Sequence, residues 1–214
     1  MKEVTLILTC CNRVDLLRKT LDSFFQLNTY PIKEYLAHND GTDQLFKNIL
    51  RSYPQITWQF SNQRVGYAQS LDNLLKLVKT EYVITTEDDW LYHQNPGFIE
   101  KSLKILEENK DIHQVWIRDV KDHGHPLGEQ IEISGVKVRP VKSGYRKFWN
   151  GYSLNPSLRR MSDIKMMFPN GLIEYRDEAE QATHSAKFNY KAVSLVESSI
   201  KHLGWNRRSM NFKP

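Results

Sequence analysis

Only two of the 214 residues are cysteines, and they are neighbours, Cys10 and Cys11. Consecutive strand residues point to opposite faces, so the pair makes neither a cross-linking disulfide nor a two-thiolate metal site, and a reducing compartment is expected. No window approaches the roughly 18 apolar residues of a membrane span. The apolar run in residues 4–9 is too short for a secretory signal, so the expectation is a cytoplasmic protein. There are no internal repeats and no low-complexity segments, which excludes a solenoid. Nor is there a block of like charge. Thirty Lys and Arg are spread along the chain against 25 Asp and Glu, for a net charge of +5 and a pI near 9.1. That excess reads as a solvated surface or as weak attraction to phosphates or to an anionic membrane face, which leaves peripheral membrane contact open. With 40% hydrophobic and 26% charged residues, the chain is ordinary for a globular protein. It is long enough to bury about 70% of its unfolded surface as one domain.

What is present is alternation. Residues 3–9 read as a strand, and 14–27 as a helix with Val14, Leu17, Leu21 and Phe24 at helical spacing. Strands follow at 34–39, 55–60 and 81–88, with helices between them over 43–53 and 66–80; in the latter Leu71, Leu74, Leu75 and Val78 form one stripe. Asn95 and Pro96 read as the cap and first turn of a helix over 97–109, before a fifth strand at 113–118. This βα alternation predicts an open, largely parallel α/β sheet covered on both faces, with ligands at the carboxyl ends of the strands. Residues 119–149 alternate between Gly and Pro turns, as antiparallel strands or a long excursion do. Beyond them, 155–168 and 174–188 read as helices, 190–197 as a last strand and 198–214 as a basic tail.

The predicted strand ends collect TCCNR (9–13), HNDGTD (38–43), SNQRVG (61–66) and TEDDW (86–90) at one crevice. Three adjacent carboxylates, Glu87, Asp88 and Asp89, end an apolar strand, and such a cluster needs solvent, cations or a metal. In a continuing strand Glu87 and Asp89 share one face and Asp88 takes the other. A solvated strand end capping the next helix gives the same pattern, and NDG alone also reads as a turn.

Taken in order over the first 120 residues, TCCNRVDLLRKTLDSF, NDGTD, NQRVGYAQSLDNLL and TEDDW resemble the N-terminal half of a nucleotide-sugar-dependent glycosyltransferase of the GT-A (Rossmann-like) fold, similar to family 2. The resemblance implies a single domain with a nucleotide-sugar-binding half (1–120) and an acceptor-binding half (121–214), whole or as the first domain of a longer protein. It implies donor contacts from Thr9, Asn12, Arg13, Asp40, Arg64, Asp88 and Arg207, with Asp40 ahead of Asp43 for the base because Asn39 stands where an acid is common. Glu87 begins the D-x-D-like motif, so Asp89 is the leading ligand for Mn²⁺ or Mg²⁺, with Glu87 and His202 beside it. Such a cation suits oxygen ligands and offsets the charge of a diphosphate leaving group.

The same resemblance points to Asp177 or Glu178 as the base that takes a proton from an acceptor hydroxyl, with Glu174 and Glu180 behind them. Acids at a solvated helix start serve the macrodipole equally well. Trp149 and Tyr152 would stack on acceptor sugar rings, or serve as core. Lys201, Arg207 and Arg208 would offset the diphosphate. His123 and His125 have metal-ligand spacing but sit in a Gly-Pro loop. The implied reaction is transfer from a nucleoside-diphosphate sugar, with UDP favoured, to a carbohydrate or glycan hydroxyl. A sugar-phosphate nucleotidylyltransferase uses a similar crevice, but the first strand lacks its Gly-rich basic loop. A non-catalytic glycan- or nucleic-acid-binding module would use the basic excess and aromatics, yet no nucleic-acid motif is present and clustered acids oppose phosphate.

Overall fold

The computed structural model describes residues 1–41, 49, 51–61, 63–119, 126–142 and 149–204. The helix expected over 43–53 falls mostly outside them. So do Asp43, Asn62, His123, His125, Arg207 and Arg208.

The first strand, β1 (Val4–Cys10), is buried on both faces. Val4, Leu6 and Leu8 join one core with Leu17, Leu21 and Phe24 of helix α1 (Val14–Leu27), while Ile7 joins a second core on the opposite side. That second core holds Leu71 and Leu74 of α2 (Tyr67–Leu75). Each fully buried Leu or Phe contributes about 1.5–3 kcal/mol, so the period-2 strand and period-3.6 helix patterns fix which side each helix covers. On either side of β1 lie β2 (Glu34–Asn39) and β4 (Tyr82–Glu87), both parallel to it, and β3 (Ile56–Phe60) extends the sheet beyond β2. Thr9 is in register with Glu87, and Cys10 with Asn39, so three carboxyl ends stop side by side.

The remaining elements are β5 (Trp90–Tyr92), α3 (Phe98–Glu108), β6 (Ile112–Trp116), β7 (Ile131–Ile133), β8 (Val136–Pro140), β9 (Ser157–Arg160), α4 (Met161–Met167), α5 (Glu178–Ser185), β10 (Lys191–Leu195) and β11 (Ile200–His202). Among the described residues nine strands form one mixed sheet in the order β3-β2-β1-β4-β9-β6-β10-β8-β7, and β11 pairs antiparallel with β5 in a small second sheet. The expected α/β sheet with helices on both faces is therefore what the chain builds. The β7–β8 hairpin turns at Ser134 and Gly135, both at positive φ (54° and 70°), as its tight turn requires. No helix among the described residues is long and apolar enough to cross a membrane.

Three expectations are corrected. Residues 155–168 do not form one helix: Ser157–Arg160 is a buried strand inserted antiparallel between β4 and β6, and the helix starts only at Met161. Arg160, which a helical reading leaves in solvent, donates to the carbonyls of Leu106, Lys110 (3.2 Å) and Ile112 (2.6 Å) near the end of α3 and pairs with Asp163 at 2.8 Å. Asn95 is not the cap of α3. Gly97 holds that position at φ 74°, and Asn95 instead accepts from Gly97 N–H (3.0 Å) while donating to Leu27 O (2.9 Å), which ties α3 to the end of α1. The expected basic tail contains β11, and its pairing sets His202 opposite Trp90.

Candidate active site

The carboxyl ends of β1, β2 and β4, with the start of α2, enclose a crevice of about 340 Å³. Thr9, Asp40, Arg13, Arg64, Glu87 and Asp88 line it together with Cys11, Tyr67 and Ser70. Thr9 Oγ1 is buried with no hydrogen-bond partner among the described residues. Asn12 sits at φ 54°, its N–H donating to Asn39 Oδ1 at 3.3 Å. Its side chain lies where a Cβ on Gly41 would come within 1.9 Å of Oδ1, so a larger residue at 41 would have to displace the Asn12 side chain.

Asp40 is 7% exposed. One of its carboxylate oxygens accepts from Val65 N–H (2.6 Å) and the other from Gly66 N–H (2.9 Å), anchoring the segment that opens α2. Arg64, on that segment, donates to Cys11 Sγ at 3.0 Å.

The acidic run is arranged differently from a continuing strand. The strand ends at Glu87 and the chain turns at Asp88 and Asp89, so the carboxylates lining the crevice are Glu87 and Asp88, not Glu87 and Asp89. Arg13 bridges Asp88 and Asp89: its guanidinium pairs with Asp88, including Nε to Oδ2 at 3.1 Å, and Nη1 donates to Asp89 Oδ2 at 2.7 Å. That oxygen also faces His202 Nε2 at 3.3 Å. Leu203 N–H donates to Asp89 O (2.8 Å), and Gly204 packs so closely that a Cβ there would sit 2.1 Å from Asp89 Oδ2. Glu87 Oε2 accepts from Trp90 Nε1 at 3.0 Å.

Burial, helped by the negative charge of Asp89, pushes the Glu87 carboxyl up to about 8 against the lowering effect of the Trp90 bond. Burial also pushes Asp88 up, to about 6, with Arg13 opposing it. For Asp89 burial pulls the same way, but hydrogen bonds and charges from His202 and Arg13 outweigh it and hold the carboxyl below its ordinary value. Among the described residues no group of three His, Cys, Asp or Glu is spaced to hold a metal. The donors present still suit a hard divalent cation of the kind that takes one or two protein ligands and completes its shell with phosphate oxygens and water. Asp89 Oδ1 is buried with no hydrogen-bond partner among the described residues, and His202 stands beside the same carboxylate.

The two expected acids of the second half separate. Asp177 is the N-cap of α5, accepting from Glu180 N–H at 3.0 Å and pairing with Arg176 at 3.2 Å. Glu178 Oε1 accepts from Leu154 N–H (2.9 Å) and Ser153 Oγ (3.2 Å), and its charge reaches Glu87 and Tyr67. Trp149 is half-buried against Trp116, its Nε1 donating to Tyr152 O at 2.7 Å. Tyr152 is 1% exposed, with its hydroxyl donating to Gln181 Oε1 (3.0 Å), which is a core position. Sequence reasoning passed over Cys11, Tyr67 and Ser153. Tyr67 had a usable signal, since it follows Gly66 at the opening of a helix whose N-terminus faces the strand ends.

A family model described as glycosyl transferase family 2 matches residues 5–169, more than half of the chain. No curated protein matches it in sequence. Among solved structures it is similar to S. aureus TarS 1-349, at 15% identity and a TM-score of 0.66, covering 94% of this chain and 59% of that one. It is similar too to the mannosyltransferase PcManGT from Pyrobaculum calidifontis, in complex with GDP-Man and Mn²⁺, at 16% identity and 0.66, covering 95% and 57%. A third is S. aureus TarS 1-349 in complex with UDP-GlcNAc, at 16% and 0.64, covering 98% and 62%. At such identities these are likenesses of fold, and this chain spans only 57% to 62% of those three chains. With the family model spanning the crevice and its strands, the chain belongs to glycosyl transferase family 2.

Proposed function

We propose that the protein transfers a sugar from a nucleoside-diphosphate sugar, with UDP favoured, to a hydroxyl of a carbohydrate or glycan acceptor. The observation that carries this is the crevice itself: acids and arginines meet at the ends of three parallel strands, with a second, hydrogen-bonded carboxylate, Glu178, electrostatically coupled to it. The membership in glycosyl transferase family 2 supports it. So does the likeness of fold to the two solved structures in complex with GDP-Man and with UDP-GlcNAc.

In this account Thr9, Asn12, Asp40 and Arg64 hold the nucleotide, and Asp88 keeps Arg13 in place at the crevice wall. Mn²⁺ or Mg²⁺ would be held by Asp89, whose Oδ1 has no hydrogen-bond partner among the described residues, with His202 beside it, while Glu87 contributes negative charge nearby. When bound it supplies positive charge to the leaving diphosphate. Glu178 takes the proton from the acceptor hydroxyl, which suits attack from the side opposite the leaving group. Asp177, committed to capping α5, supports the helix that carries Glu178. Trp149 borders the acceptor side and Tyr152 supports it from the core.

The test is thermal-shift screening of UDP-, GDP-, CMP- and dTDP-sugars with and without Mn²⁺, on wild type and Asp89→Ala. One nucleotide class stabilising the wild type with metal, by about 2.7 kcal/mol at a hundredfold excess over Kd, is the expected result. Equal stabilisation of the mutant, or none of the wild type, overturns the assignment.

A further inference from the structure

Arg159 in β9 is 3% exposed, yet no carboxylate among the described residues pairs with it. Its guanidinium goes instead to neutral groups: Nη2 donates to the Ser153 carbonyl, Nε to Ser157 Oγ at 3.3 Å, and the cation lies over the Tyr152 ring, 5.0 Å from its centroid. Gln114 grips the same segment, donating to the Ser153 carbonyl at 2.7 Å and accepting from Ser153 N–H at 3.2 Å.

The other end of that peptide unit is the N–H of Leu154, which donates to Glu178 Oε1 at 2.9 Å. A buried cation on a carbonyl oxygen polarises the peptide and strengthens its N–H as a donor. The line therefore runs from Arg159 through one peptide bond to the carboxylate. Ser153 Oγ adds a second bond to the same oxygen, and Tyr67 OH holds Leu154 O at 3.3 Å from the crevice side. Both hydrogen bonds to Glu178 fall on Oε1, which leaves Oε2 for an acceptor.

We infer that Arg159 is a positioning residue for the proposed transfer: acting through the Ser153–Leu154 peptide, it fixes Glu178 Oε1 so that Oε2 meets the acceptor hydroxyl. This rests on Glu178 being the base. A buried arginine with no carboxylate partner among the described residues is costly to stability even when hydrogen-bonded, and a purely structural side chain at this position would be better apolar.

The test uses the ¹⁵N-labelled full chain and the variants R159Q, R159K and E178Q. Turnover is followed with UDP-glucose, UDP-GlcNAc and GDP-mannose in the presence of Mn²⁺. The Leu154 amide proton is expected to move upfield in E178Q and in R159Q, with R159K intermediate. Turnover in R159Q is expected to fall about tenfold in kcat with donor KM unchanged, a fraction of what a positioned base provides. A folded R159Q with an unmoved Leu154 resonance and wild-type kcat overturns the inference. Should R159Q not fold, R159K carries the test, because one ammonium cannot serve both Ser153 O and Ser157 Oγ, and an unmoved Leu154 resonance there overturns it equally. If E178Q turns over as fast as wild type, the base assignment fails. If E178Q is inactive while the arginine variants behave as wild type, only the inference fails.

Discussion

Replacing Asp40 by Asn separates two roles for the residue at the end of β2. If Asp40 only contacts a nucleobase, the free protein loses nothing. In the structure, however, its two oxygens accept from Val65 N–H and Gly66 N–H at 2.6 and 2.9 Å while the residue is 7% exposed. An asparagine keeps one acceptor oxygen and turns an amide NH₂ toward the other backbone donor. One charge-assisted bond is weakened and the other becomes a donor-donor contact, a loss of about 2–4 kcal/mol. For a domain of this size, at about 2–4 °C per kcal/mol, that lowers Tm by about 4–16 °C. Differential scanning calorimetry of the unliganded protein reads this directly, with D40E, which keeps both acceptors, expected in between. A D40N protein melting within about 1 °C of wild type would refute the anchoring role and leave Asp40 as a ligand contact alone.

Other substitutions probe the rest of the account. His113 is fully buried with no hydrogen-bond partner for either ring nitrogen among the described residues, and burial, aided by Arg159 and Arg160, holds its pKa near 3. It folds neutral, so its contribution is complete above the unfolded value near 6.5 and is lost as pH falls toward 3, at up to about 1.4 kcal/mol per pH unit. Urea midpoints at pH 7 and 4.5 should therefore diverge less in His113→Phe than in wild type, and equal divergence counts against this. Arg160→Met leaves Asp163 and several carbonyls at the end of α3 unpaired, and is expected to cost about 3–5 kcal/mol by chemical denaturation. Adding Asp163→Asn should recover part of it, and strict additivity would contradict the pairing. Gly204→Ala forces a methyl toward Asp89 Oδ2, so Mn²⁺-dependent donor binding by calorimetry should weaken even where the melting temperature changes little.

The first half of the fold was legible because β1, α1, β2, β3, α2 and β4 each carry a clean periodicity and end in turn chemistry. The order of the strand-end loops brings Thr9, Arg13, Asp40, Arg64 and Glu87 to one crevice, which they line. What pattern could not show is where a strand stops. Asp88 and Asp89 exchange faces because the chain turns after Glu87, a choice made by Arg13 and His202 from distant segments. The same holds for Ser157–Arg160, whose two arginines read as a helix surface although they are buried and satisfied by backbone carbonyls, a serine hydroxyl, a tyrosine ring and Asp163. Long-range pairing with β4 and β6 overrides local preference there. Asn95 misled for a related reason, since its side chain was spent on joining α1 to α3 rather than on capping.

The most direct test of the central claim is a crystal structure of the protein with UDP and Mn²⁺. The account predicts the nucleotide in the crevice between Asp40, Arg64 and Tyr67, the cation on Asp89, and Arg13 drawn away from that carboxylate. Nucleotide bound elsewhere, or a cation with no contact to Asp89, would contradict it.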